Sequence, residues 1–229
     1  MRVLPRYFQF VARGGSLVAV FASLLVASSS AAVASSVQPK VVDVPSRPAF
    51  VTPPQRLEMD AKPGQVLLQN TLLRTKKPGR MQVQLPGGRG FRLGGDALLR
   101  LPGQQLELKR GQIIAWINPG QKSGYPLRIR TPVATASITG TTVFIEAGDD
   151  QLKVFSWEGR VLVETDTGNR YTLSSGEQVT YDAAKGWQSA RALTRAELDA
   201  RRERSILLNG FNAVLETWPV IEKELGFTP

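Results

Sequence analysis

The sequence predicts a mainly β protein: a compact two-sheet β-sandwich or β-solenoid-like domain followed by a C-terminal α-helical tail. Three observations carry this. Apolar residues alternate with polar ones in short runs, as in Met81-Gln82-Val83-Gln84-Leu85, the period of a half-buried strand. Turn residues punctuate those runs closely, at Pro86-Gly87-Gly88, Gly94-Gly95-Asp96 and Lys109-Arg110-Gly111, a density that suits sheet-on-sheet packing better than a βαβ arrangement. Past residue 190 the apolar spacing changes to three and four, the helical period.

The 229 residues divide into four expected segments. Residues 1–34 read as a secretory signal peptide: Arg2, Arg6 and Arg13 precede an apolar run from Leu17 to Ala27, and Ala32-Val33-Ala34 supplies a small-x-small cleavage pattern. The run is short against the roughly 20 residues of a spanning helix. The chain is therefore expected to be exported, periplasmic or extracellular, with cleavage after Ala34. Residues 35–56 carry Pro39, Pro45, Pro48, Pro53 and Pro54 and are expected to be an extended tether. Residues 57–190 form the expected β domain, with Trp116 and Trp157 in its packing. Residues 191–229 form the helical tail, with a helix from Arg195 to about Leu208. Thr194 and Glu197 form a capping box there, and Leu193 with Leu198 a hydrophobic staple. Phe211, Val214, Trp218, Ile221 and Leu225 then make one apolar stripe, interrupted at Pro219, where a kink or a restart of the helix is expected.

A weak repeat runs through the β region. Leu108–Ile117 (LKRGQIIAWI) and Ser156–Glu164 (SWEGRVLVE) share a residue, two positions, Gly, one position, then an apolar strand. Leu173–Tyr181 (LSSGEQVTY) fits more loosely. Around them lie Arg130, Thr131, Pro132 and Ala134, then Gly140-Thr141, Gly159 and Gly176. This series resembles the signature of the FecR domain family, named for iron–dicitrate regulators: an RTP start, a G-T pair, a strand pair turning at Gly, and a final L-x-x-G-(E/Q)-x-V. Leu85–Arg100 and Leu106–Ile117 look like the family's upstream segments. The resemblance implies a periplasmic β module in which those eight residues are structural. It also implies a departure, because the dozen residues ahead of the apolar run hold no sigma-binding cytoplasmic region.

The composition excludes much chemistry. There is no His and no Cys, which removes imidazole and thiolate catalysis, disulfides and most zinc sites. Asp149-Asp150 follows Gly148 in an expected turn and lacks the further oxygens of a calcium loop. Gly87-Gly88-Arg89-Gly90 lacks phosphate-loop spacing. No catalytic residue, cofactor or metal ligand is expected, and the chain is expected not to be an enzyme.

The formal charge is +10, with the excess in Lys40–Arg110, where 13 basic residues face 5 acidic ones. Behind an export signal this leaves no nucleic-acid role, since aromatics are not interleaved with the basic residues. Arg74, Lys76, Lys77, Arg80, Arg89 and Arg92 form a candidate basic contact patch for anionic polysaccharide or lipid head groups. The leading expectation is a non-catalytic protein-interaction or scaffold module of the cell envelope, with an envelope protein as partner. The alternatives are an anionic glycan or surface-polymer binding module and a truncated membrane-anchored signalling regulator.

Overall fold

The structure is a computed structural model that describes residues 38–121 and 125–227. The expected signal peptide lies outside the described residues. The protein is mainly β with helices at its C-terminal end, and its strands join in one hydrogen-bonded sheet.

Sixteen strands run from β1 (Lys40–Ser46) to β16 (Arg191–Ala192). Two long ones organise the rest: β6 (Arg89–Arg100) and β7 (Gln105–Ile117). The first half of β6 pairs with β5 (Arg80–Leu85), which pairs with β1. Its second half pairs with β4 (Leu72–Thr75), which pairs with β2 (Ala49–Thr52), and β2 carries the edge strand β3 (Met59–Asp60). From β7 the path continues through β10 (Thr142–Ala147), β11 (Gln151–Glu158) and β14 (Glu177–Asp182) to β15 (Gly186–Trp187) on one side. On the other it passes β8 (Leu127–Arg130), β9 (Ala134–Ile138) and β12 (Val161–Thr165) to β13 (Arg170–Leu173). The β7–β8 pairing is parallel, and the other strand pairings described are antiparallel.

Two long strands can serve both halves because they bend. The β6–β7 register shifts between Gly94 and Leu98, opposite Gly111. Gly111 has φ +91°, and a Cβ there would lie 2.2 Å from the Ala97 Cα, so only glycine lets the strands approach. The main core contains Val83, Phe91, Leu99, Leu108, Ile129, Val143 and Val161, residues drawn from both ends of the sheet.

The far face of β7, β10 and β11 is aromatic. Ile114, Trp116, Phe144, Phe155 and Trp157 form a second cluster with the tail. Every residue of β10 from Thr142 to Ile145 is therefore buried, whichever way it points. Trp116 and Trp157 are fully buried, as expected of packing residues.

Three expectations need correction. Residues 35–56 are not a tether over their described part: β1 and β2 belong to the sheet, with Val41, Ala49 and Val51 buried. Proline is compatible with strands that have a free side, and past Val41, where Pro45 lies, β1 pairs only with β5 among the described residues. The repeat is not one structural unit, because Gly111 sits inside β7 while Gly159 joins β11 to β12. In the tail, the capping box at Thr194 and Glu197 is formed, but the helix from Arg195 stops at Arg204 (α1). Ser205 then caps a separate short turn, α2 (Ile206–Asn209). Pro219 lies in the first turn of α3 (Trp218–Leu225) and so starts that helix, where its missing N–H costs nothing. Val214, expected in the buried stripe, is 71% exposed.

Candidate interaction surface

The eight signature residues fall into two groups. Arg130, Thr131, Pro132 and Ala134 shape the corner between β8 and β9. The Thr131 N–H and Oγ1 both reach the Ala134 carbonyl, at 2.8 and 2.9 Å, and Ala134 N donates back to Thr131 Oγ1 at 3.2 Å. Arg130 and Pro132 are exposed, and Arg130 pairs with Asp166 at 3.6 Å.

Gly159, Thr141 and Gly176 form a seat for α3, with Gly140 beside them. Gly140 has φ +148° and open space around it, so conformation and not crowding sets its identity. Gly159 has φ +72°, and its N–H donates at 2.9 Å to Ser175 Oγ and at 2.9 Å to Glu224 Oε2. Ser175 Oγ bonds the same Glu224 carboxylate. The Gly176 carbonyl accepts from Leu193 N at 2.9 Å, which fixes the start of the tail. Beneath this, Thr142 Oγ1 lies 2.9 Å from Glu158 Oε1 and 2.7 Å from Thr217 Oγ1. Burial pushes the Glu158 carboxyl up to about 7 against the Thr142 hydrogen bond, with help from the Glu224 charge.

The six basic residues do not assemble into one patch. Lys76 and Lys77 are exposed. Arg74 is held by Glu58, with Nε to Oε2 at 2.8 Å, and stacks 4.3 Å over the Phe50 ring. Arg80 is half-buried. Arg89 is buried, giving Nε to the Pro86 carbonyl at 2.8 Å and lying 4.9 Å from the Tyr125 ring. Arg92 is the clearest departure: its side chain is completely buried under the tail. It donates to Gln82 Oε1 at 2.9 Å and to the carbonyls of Leu207 at 2.9 Å, Leu208 at 3.2 Å and Ala213. Its guanidinium also stacks 4.3 Å over the Phe211 ring. Burial pulls it down to about 10, with Glu216 and Asp43 opposing, so it stays charged at neutral pH. The alternation of β6 made Arg92 look like an outward residue, and it does leave the main core, but that outer face is covered.

The surface that sequence reading missed lies in residues 42–68. Val42, Leu57, Met59, Val66 and Leu68 are between 36% and 88% exposed. Leu57 lies just before β3 and Met59 opens it, and among the described residues β3 pairs only with β2. Val66 bridges Lys40 of β1, and the inward bonds are made by its neighbours, Val41 N to the Gln65 carbonyl and Leu67 N to the Pro39 carbonyl. The Val66 N–H and C=O therefore face away from the sheet. Leu67 is buried while Val66 and Leu68 face out, the alternation of an edge strand. Gln65 Nε2 lies 3.5 Å from Met59 Sδ, joining the two edges into one surface. The signal in the sequence was the apolar content of a segment otherwise rich in proline.

Among the described residues no helix is long and apolar enough to cross a membrane, and no cluster of three or more Asp or Glu could hold a metal ion. No curated protein matches the chain. Two crystal structures of a candidate anti-sigma factor from Parabacteroides distasonis ATCC 8503, at 1.65 and 2.50 Å resolution, are similar to it. The first has 21% identity and a TM-score of 0.45 over 53% of this chain and 59% of that one. The second has 19% identity and a TM-score of 0.49 over 58% and 64%. The chain thus spans less than two thirds of either structure. Residues 71–162, from the start of β4 to the start of β12 and including Thr131, Gly140 and Gly159, match the family model described as FecR protein.

Proposed function

We propose that this protein is an exported, non-catalytic interaction module of the cell envelope that holds a partner protein along the edge made by β3 and the segment beside β1. The observation that carries the reading is two pairs of exposed apolar side chains, Leu57 and Met59 at β3 and Val66 and Leu68 beside β1, next to the outward-facing backbone groups of Val66. Water-exposed apolar side chains at a strand edge favour an added strand from another chain, with main-chain bonds giving affinity and alternate side chains giving selection. The lack of His and Cys supports a role without catalysis.

The test uses two exposed positions whose change should leave the core intact. The full chain and its Leu57→Asp, Leu68→Asp double variant are used as bait against envelope extract, with melting temperatures measured alongside. The reading expects a specific protein retained by the natural chain and lost from the variant at unchanged melting temperature. Retention of the same protein by both, or specific retention by neither, refutes it.

A further inference from the structure

A cleft of about 460 Å³ opens between α1 and the far face of β10 and β11, away from the β3 edge. Its floor is built in rows across the strands. Ile114, Phe144, Phe155 and Gln178 are successive cross-strand partners, and the next row is Gln112, Glu146, Lys153 and Thr180. Apart from Gln178 the first row is apolar, and the second is polar, so this face changes character between successive rows. The polar row is tied together, with Gln112 Nε2 donating to Glu146 Oε1 at 2.7 Å and Lys153 Nζ to Oε2 at 3.2 Å.

The charges on the cleft are unevenly matched. Arg191 is taken by Glu197 at 2.7 Å and Lys153 by Glu146. Arg201 and Arg204 have no carboxylate at ion-pair distance among the described residues. Arg204 donates Nε to the Ala200 carbonyl at 3.1 Å and is otherwise exposed. Arg201 lies 4.4 Å from the Phe155 ring and 5.4 Å from that of Phe144, and gives one N–H to Gln178. Burial holds its guanidinium below the ordinary arginine range, with Glu146 and Glu197 opposing.

A second observation points the same way. Trp157 borders the cleft, and its indole Nε1 is buried with no hydrogen-bond partner. A buried N–H donor without an acceptor costs about 1–3 kcal/mol, so such groups are rare without a reason. A desolvated guanidinium without an anion, on α1, and a buried donor without an acceptor, on β11, thus line the same cleft. An anionic oxygen group would meet both needs.

The remaining lining says what carries that anion. The Gln112, Glu146 and Lys153 row also borders a second cleft of about 490 Å³, whose wall includes Asp149, Gln151 and Asp182. The Gln112 amide and the Lys153 ammonium can donate to hydroxyls and the Glu146 carboxylate can accept from them, beside the apolar Phe144 and Trp157 faces on which a sugar ring can lie. We propose that the groove under α1 binds a carboxylate-bearing sugar chain, with the acid group at Arg201, Arg204 and Trp157 and the hydroxyls along the Gln112–Glu146–Lys153 row. The indole nitrogen is closed to solvent, so binding shifts the Arg201 side chain off its aromatic seat and changes the surroundings of Trp157. This site is independent of the proposed protein-binding edge.

The test is calorimetric titration of the full chain with tri-galacturonate, with uncharged tri-galactose as control, followed by tryptophan emission. Tri-galacturonate should bind and alter the emission, and tri-galactose should not. Arg204→Gln, at an exposed position, should weaken binding about tenfold, the loss of one charge-assisted bond. Arg201→Met, which keeps the stem over the rings, should weaken it at least as much at similar melting temperature. Equal binding of both sugars, binding unaffected by either substitution, no binding, or binding only of a peptide's terminal carboxylate would each overturn the proposal.

Discussion

Thr142 Oγ1 stands between two buried groups, 2.9 Å from Glu158 Oε1 and 2.7 Å from Thr217 Oγ1, and so couples the FecR-matched strands to the tail. Glu158 has a folded value of about 7 against an ordinary 4.5, because burial disfavours its charge. A carboxyl raised on folding contributes stability that is complete below about pH 4.5 and lost as pH climbs through 7. The chain has no His, and the carboxylates whose values are lowered (Glu58, Glu107, Glu146 and Glu197) lose their contribution only below about pH 4.5. The melting temperature should therefore fall by several degrees between pH 5 and 8. Glu158→Gln should flatten that slope and raise stability at pH 8. Thermal melts of both proteins across this range check it.

Arg92 fastens α2 and the loop after it. Replacing it with Met leaves the carbonyls of Leu207, Leu208 and Ala213 without their donor. The expected loss is on the order of 3 kcal/mol or more, read from urea unfolding. Arg92→Lys should recover little, since a single ammonium cannot reproduce the planar fork. Limited proteolysis should show early cutting near residues 210–215 in both variants.

Gly159→Ala probes the seat of α3. Its φ of +72° strains any side chain, and the new Cβ would lie 2.8 Å from Thr141 Oγ1 and 3.0 Å from its Cβ. A cost of about 1–3 kcal/mol follows, seen as a lower melting temperature. Gly140→Ala meets open space, so its cost is conformational alone, set by a φ of +148° that is essentially reserved for glycine.

Much of the β architecture was legible in local pattern. Alternation at Met81–Leu85 gave β5, and Thr194 with Glu197 marked the start of α1, because strand faces and helix caps are set by neighbours in the chain. What was illegible depends on distant contacts. The alternation around Arg92 says which face it occupies, and only the returning tail, more than a hundred residues later, makes that face an interior. Proline at 45 and 48 argued against structure, yet β1 and β2 have partners along β5 and β4 that no local reading supplies. The candidate edge was hidden for the same reason. Val66 and Leu68 stand out as exposed only once Leu67 is seen to be buried.

The central claim is that the edge beside β1 and β3 accepts another chain. Amide hydrogen exchange, with and without the protein that the natural chain retains, reads it most directly. The amides of Asp60, Val66 and Leu68 should become protected on binding while the rest of the sheet, including the Met59 amide that faces β2, is unchanged. Protection confined to the tail or the β13 edge, with these three amides still exchanging freely, would contradict it.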